Sequence, residues 1–313
     1  MLEVKLSDAP SANRQAYAGP QFENPAHQEA AVSGLAFVLD HMRNSAAPEP
    51  YNFGVYTNLL HDETASNEIY TGGHNMTAEH MGLLLRSSAC MNDQAAYEEA
   101  YSFVRDVMYS PLYHVPNWSI ERDNQRPFQF YDDFRGNWFN ANAPLDDLRV
   151  IHGLIDGYEN FGHEDANDLA NSMFEGLYWT SVSDRDRDSS FIFPSYSGGL
   201  VGFAWDWSGL DDNTLAPAPA IATGTGFLGT DLIPVDYQDL GTVAHAAARD
   251  HRWDDVLQSM TQLLLDSEIT LSGLYYNGYK PDGTWTGDFE FQGSRPGEHL
   301  KICLLYTSDA ADE

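Results

Sequence analysis

The sequence predicts an all-α fold, a toroid of helical hairpins, and three observations predict it. Apolar residues recur at helical spacing in segments of about fifteen to eighteen residues. Those segments fall into pairs, with short turns inside a pair and long loops rich in Gly, Pro and aromatics between pairs. Strands do not alternate with helices, which argues against an α/β sheet. In a toroid the first helix of each pair belongs to an inner ring whose N-terminal ends face one cleft, and the long loops wall that cleft.

The elements follow in order. Residues 1–24 are polar, carry Pro10 and Pro20, and read as a surface arm. From His27 to Met42 the apolar positions Ala31, Leu35, Val38, Leu39 and Met42 share one helical face. A helix is predicted from Thr77 to Met91 and its partner from Gln94 to Met108. Pro111 and Pro116 then open an aromatic loop. Pro144–Phe161 and His163–Thr180 form the next pair, with Pro144 suited to the first turn and Asn142 or Ala143 as the cap. After an irregular stretch over 181–235 come Tyr237–Arg249 and Trp253–Asp266, then a hairpin around Tyr279-Lys-Pro-Asp-Gly283.

Residues 303–313, Cys-Leu-Leu-Tyr-Thr-Ser-Asp-Ala-Ala-Asp-Glu, have the sequence that a transposon-derived sequencing adaptor gives when translated. They are therefore expected not to be natural protein. The expected source is an assembled, metagenomic sequence whose natural chain is cut near Ile302. Without Cys303 there remains Cys90, and one thiol forms no internal disulfide.

The formal charge of −31 becomes −28 once Asp309, Asp312 and Glu313 of that tail are left out. Lysine occurs three times, at Lys5, Lys280 and Lys301. A surface this acidic repels nucleic acid and anionic membranes. Scarce lysine with abundant aspartate also predicts a chain kept soluble in high salt. No run reaches the eighteen apolar residues of a membrane span, so membrane insertion is not expected. Residues Met1–Ser7 lack the charged-then-apolar pattern of a signal peptide, which an incomplete 5′ end would also leave out.

Function points to carboxylates. Glu79 lies in the first turn of one predicted helix, Asp146 and Asp147 in that of a second, and Asp236 and Asp239 start a third. Acids are common there because they complement the helix dipole. Each of these helices is also the first of its pair, so their acids would converge on one mouth. Paired carboxylates across a cleft are what glycoside hydrolysis requires.

At these residues the sequence resembles glycoside hydrolase family 8, and more closely the branch that acts on bacterial exopolysaccharides. The family's acid lies in a Ser-Glu-x-x-Gly helix start, matched by Ala78-Glu79-His80-Met81-Gly82-Leu83. Its signature, approximately Ala-Thr-Asp-Ala-Asp-Leu-Asp-Ile-Ala, aligns with Ala143-Pro-Leu-Asp-Asp-Leu-Arg-Val-Ile151, and its Glu-x-Trp-Gly with Glu159-Asn-Phe-Gly162. The base-bearing segment resembles Tyr237-Gln-Asp-Leu240. The signature's first Asp is Leu145 here, which leaves that role to Asp147 with Asp146 as its neighbour.

The resemblance implies one (α/α)6 toroid over residues 25–302, incomplete at its C-terminus, and inverting endo-hydrolysis of a β-linked polysaccharide, either an exopolysaccharide or a β-glucan. It makes Glu79 the general acid, Asp239 the base (with Asp236 as the alternative) and Asp147 the residue that holds the central sugar. A helix N-terminus favours a charged carboxylate, whereas a general acid must hold a proton. Desolvation around Gly82–Leu85 and repulsion from Asp147 have to outweigh that effect.

Loop aromatics complete the expected cleft. Trp118, Trp138, Trp205 and Tyr276 are candidates to stack on sugars beside Asp146 and Asp236. His80 and His152 are further candidates to touch substrate, with a hydrogen-bonded structural role expected for each. No metal-ligand spacing occurs among the histidines, so no metal and no cofactor are expected. Gly224-Thr-Gly-Phe-Leu-Gly229 matches a dinucleotide fingerprint literally but lacks the strand and helix that the fingerprint needs. The expected protein is a monomer that acts outside the cell or at its surface, where polymers are found. The alternatives are another toroid enzyme on glycans (an α-mannanase or a polysaccharide lyase) and a non-catalytic glycan-binding protein on the same scaffold.

Overall fold

The computed structural model describes residues 25–56, 75–111, 113–120, 130–132, 137–139, 142–182, 198–201, 233–268, 275–276, 278–279 and 283–286. The expected arm at 1–24, the tail at 303–313 and the glycine-rich run at 224–229 lie outside these residues.

Among the described residues seven α-helices dominate: α1 (Pro25–His41), α2 (Ala78–Cys90), α3 (Gln94–Phe103), α4 (Pro144–Phe161), α5 (Glu164–Ser181), α6 (Leu240–Ala247) and α7 (Arg252–Asp266). Local chemistry sets their starts. The Thr77 side chain caps α2, Asp93 accepts from the Ala96 N–H (3.1 Å) to cap α3, and His163 Nδ1 accepts from the Ala166 N–H (3.1 Å) to cap α5. Pro144 occupies the first turn of α4, as the sequence predicts. At its far end Gly162, with φ at 69°, turns the chain left-handed into α5. The helix expected over Gln94–Met108 widens to a π-helical turn after Phe103. That expected from Tyr237 starts at Leu240, after a 3-10 turn at Val235–Tyr237.

The strands are short. β1 (Met76–Thr77), β2 (Tyr109–Ser110), β3 (Val115–Pro116), β4 (Ser119–Ile120), β5 (Phe130–Asp132), β6 (Asn137–Phe139), β7 (Ile233–Pro234), β8 (Gly278–Tyr279) and β9 (Trp285–Thr286) pair antiparallel as β1–β4, β2–β3, β5–β6 and β7–β8–β9. The β8–β9 pair is the hairpin expected around residues 279–283.

Side-chain partners give the helix directions. Down α2 and α4, Glu79 meets Arg149, Arg86 meets Asp156 (3.2 Å), and Asn160 donates to the Ala89 carbonyl (3.0 Å). Partners advance together along both chains, so α2 and α4 run parallel. His152 meets Thr242 (2.9 Å), and Glu159 acts on His245 and Arg249 further along, so α6 runs parallel to α4 as well. The second helices touch one another on the other side. Glu98 of α3 reaches His163 (3.1 Å), Glu175 of α5 meets Arg252 (3.3 Å), and Trp253 of α7 lies edge-on to Tyr178 and Phe174. Three hairpins therefore place α2, α4 and α6 in an inner layer and α3, α5 and α7 in an outer one, the arrangement of an α/α toroid.

The inner layer is close-packed through glycine. A Cβ on Gly82 would lie 2.7 Å from the Arg149 carbonyl carbon and the Val150 nitrogen, and one on Gly153 would lie 2.5 Å from Leu85 Cβ. Met81, Leu85, Leu148, Ile151 and Leu154 fill the interior around this contact. α1 packs Leu35, Val38 and Leu39 onto the core, while Val32 and Phe37 stay exposed. Among the described residues no helix is long and apolar enough to cross a membrane.

Candidate active site

The N-terminal ends of α2, α4 and α6 carry the predicted acids. Glu79 sits one turn above Gly82, so the close approach of Gly82 to the α4 backbone carries Glu79 to Arg149. The Glu-x-x-Gly spacing has its physical reason here: the acid needs a residue without a side chain below it to reach α4. The Arg149 guanidinium donates to Glu79 Oε1 and lies 4.0 Å from Asp146 Oδ1. Glu79 is the most open of the three, with its side chain 35% exposed. Beside it, His80 Nδ1 lies 2.6 Å from Thr77 Oγ1. Burial lowers the His80 pKa and Arg149 lowers it further, against the pull of Glu79. The β1–β4 pairing lays the Trp118 loop along this edge, and the Ala78 N–H donates to the Trp118 carbonyl (2.9 Å).

Asp147 does not take the place expected of it. It is fully enclosed and accepts from Asn142 Nδ2, which also donates to Ser181 Oγ (3.2 Å). Burial holds its carboxyl well above the usual carboxylate range, Asn142 pulls the other way, and Asp146 adds to the rise. Asp146 is the member of the pair that meets the Arg149–Glu79 group. The signal for this was present in the sequence. Asp147 shares helical spacing with Val150, Ile151 and Leu154, which are buried, whereas Asp146 shares it with Arg149.

A buried acid that favours its neutral form makes a checkable prediction. Above pH 3.8 the unfolded chain releases this proton while the folded one keeps it, so its contribution to stability falls as pH rises. Asp147→Asn should remove that slope in denaturant titrations and cost little at neutral pH. Asp147→Ala takes from Asn142 its carboxyl acceptor and should cost about 1–3 kcal/mol.

Asp239 caps α6 instead of lying within it. Its Oδ1 accepts from the Thr242 N–H (3.1 Å) and its Oδ2 from the Thr242 hydroxyl (2.8 Å). The preceding turn is locked by buried Gln238, which donates to the carbonyls of Val201 and Pro234 (2.9 Å each). Behind Thr242 stand groups that sequence reasoning did not assemble. His152 Nδ1 lies 2.9 Å from Thr242 Oγ1, His152 Nε2 lies 3.3 Å from Arg86 Nη2, and Arg86 Nε donates to Asp156 (3.2 Å). Burial, with Arg86 and His245 adding to it, lowers the His152 pKa to about 4 against the pull of Asp239. Burial also pushes Asp156 up to about 6 although Arg86 opposes it.

The helix registers align these groups. Glu79 pairs with Arg149, and Thr242 pairs with His152, one turn further along α4. Asp239, one turn before Thr242, therefore stands level with Arg149. Gly82 lies against Arg149 and Val150, so Glu79, one turn earlier, starts beside Asp146, and Glu79 and Asp239 thus stand about one turn apart on either side of the N-terminal end of α4.

The remaining candidates divide. Tyr276 stacks on Trp285 (5.4 Å between centroids, 17° between planes), which occupies one face of its ring. Trp138 is on β6 opposite Tyr131. The side chains of Trp138 and Asp236, and the whole of Trp205, lie outside the described residues. Among the described residues, no three His, Cys, Asp or Glu side chains come together in a group that could hold a metal ion.

No family model matches the chain. A curated relative, "Putative lipoprotein YdaJ" of Bacillus subtilis (strain 168), is 20% identical over 164 residues, which are 48% of this chain and 41% of that protein. Among solved structures, the endo-beta-1,4-glucanase CMCax of Acetobacter xylinum superposes with a TM-score of 0.60 at 14% identity, covering 88% of this chain and 72% of that one. A novel alpha-amylase of Clostridium perfringens gives 0.59 at 14%, covering 88% and 65%. Endoglucanase Cel10 of Klebsiella pneumoniae, a family 8 glycosyl hydrolase, gives 0.54 at 13%, covering 75% and 65%. The chain spans about two fifths of the curated relative and just under two thirds of two of these structures. At such identities the likeness is one of fold. The helical hairpins of this chain match the (α/α)6 toroid of family 8 glycosidases and related glycan-active proteins over much of its length.

Proposed function

We propose that the protein is an inverting endo-hydrolase of a β-linked polysaccharide, with Glu79 as general acid and Asp239 as general base. The observation that carries this reading is that Glu79, in the first turn of α2, and Asp239, the cap of α6, stand about one turn apart on either side of the start of α4. Glu79 gives its proton to the glycosidic oxygen as the bond to the anomeric carbon breaks. Asp239 takes a proton from the water that attacks that carbon from the opposite face. This geometry needs the carboxyls roughly 6.5–9.5 Å apart, with the water between them. Asp146, at the mouth, takes the sugar-holding role in place of enclosed Asp147, and Trp118 offers a platform beside Glu79. The Arg149 guanidinium occupies Glu79 Oε1, so substrate must part the two before Glu79 can face the glycosidic oxygen. Polymers do not enter cells, so the proposed place of action is outside the cell or at its surface.

The test is reducing-end release from a panel of exopolysaccharides and β-glucans, with the new anomeric centre followed by proton NMR. Products of inverted configuration are the expected result. Unsaturated products would replace the reading with a lyase. The Arg149–Glu79 pair favours one second reading, a non-catalytic glycan-binding protein. Saturable polysaccharide binding with no product from any substrate would establish that reading instead.

A further inference from the structure

We infer that Arg86, His152 and Thr242 form a one-way chain of hydrogen bonds that positions Asp239; the inference rests on the base role proposed for that residue. Its direction follows from its two ends. Arginine has donors and no acceptor, so the His152 Nε2 that faces Arg86 Nη2 at 3.3 Å must be the bare, accepting nitrogen. The ring proton is then on Nδ1, which points at Thr242 Oγ1 (2.9 Å). The threonine hydroxyl has one proton, and with His152 donating to it, that proton goes to Asp239 Oδ2 (2.8 Å). Every link donates toward the carboxylate.

The neighbours of His152 agree with this assignment. Asp156 Oδ1 could accept a proton from Nε2, but it lies 3.8 Å away, beyond hydrogen-bond reach, and Asp156 is held by Arg86 Nε through its other oxygen, Oδ2. His245 from α6 lies edge-on to His152, with 5.6 Å between the ring centroids. A protonated ring would set an N–H against the Arg86 N–H groups, and burial together with Arg86 keeps His152 neutral down to about pH 4. The consequence falls on Asp239. Thr242 supplies one donor to each carboxylate oxygen, from its N–H to Oδ1 and from its hydroxyl to Oδ2. Both oxygens are thus fixed in orientation, and each keeps a second lone pair for the attacking water. The Thr242 hydroxyl is itself fixed by His152, so the network preorganises the base from behind. Arg86, His152 and Thr242 act through Asp239 and are positioning residues.

Two measurements test this. In the 15N spectrum of histidine-labelled protein, His152 is expected as the neutral Nδ1–H tautomer above pH 5. An Nε2–H tautomer would overturn the inference whatever the activity. In kinetics on the best substrate, Thr242→Val keeps the backbone cap and loses the hydroxyl donor. It should lower kcat about ten- to a hundredfold with KM nearly unchanged, and Thr242→Ser should restore kcat. His152→Leu should lower kcat similarly, and the double variant should be no worse than either, since one chain is cut twice. Melting curves verify folding, and if Thr242→Val fails to fold the His152→Leu result decides. Asp239→Asn separates the two levels of the argument. If it is inactive while Thr242→Val retains full kcat, the chain is refuted and the base stands. If Asp239→Asn is fully active, the base assignment and this inference fall together.

Discussion

Glu79→Gln is expected to lower polysaccharide hydrolysis by about 10²–10⁴-fold, the usual worth of a positioned proton donor. The amide keeps the size of the carboxyl, and its oxygen can still accept from Arg149, so neither the α2–α4 contact nor polysaccharide binding should change. KM should therefore stay near that of the parent protein. What the amide cannot do is protonate the departing oxygen. A synthetic glycoside with a leaving group that needs little protonation gives the internal check, because the variant should retain most of its activity there. Full polysaccharide activity in Glu79→Gln would remove this residue from the mechanism. A loss of binding in step with the loss of turnover would mark it as a contact residue instead.

Gly82→Val is expected to destabilise the protein and disable the site together. A Cβ at this position meets the α4 backbone at 2.7 Å, and backbone, unlike the end of a flexible side chain, cannot step aside. The two inner helices must move apart, at a cost of about 1–3 kcal/mol for overpacking and more for a branched side chain. Separation also withdraws Glu79 from Arg149 and Asp146, so the folded fraction should still show reduced kcat. Thermal melting beside turnover per folded molecule would measure both effects. Gly34→Ala in α1 is the control: nothing lies within 4 Å of its added carbon. There the gain in helix propensity should raise stability by roughly 0.5–1 kcal/mol. If Gly82→Val melted like the parent, the tight α2–α4 contact would be disproved.

The two substitutions mark the boundary between what could be read from the chain and what could not. Pro144–Phe161 was legible end to end, because an apolar face, an N-terminal proline and a terminal glycine all agree on it. The start of α6 was harder. Val235 and Tyr237 look helical, but the chain forms a 3-10 turn there and hands the cap to Asp239. The acids at the three helix starts were legible as a set. Their individual fates were not all read, although the spacing of Asp147 with Val150 and Ile151 already marked it as inward-facing. Arg149 in the signature gave no sign that it would bind Glu79, seventy positions earlier.

By itself the sequence determined the helices, their pairing into hairpins and the acids at their N-terminal turns. Those are local properties, set by periodicity, capping and the dipole within a few residues of chain. The tertiary structure alone decided the register. It set Gly82 against Arg149 and Thr242 against His152, and so brought Glu79 and Asp239 within about one turn of each other on either side of α4. Register depends on how two surfaces interlock. That depends on side-chain volumes distant in sequence, and no local pattern encodes it.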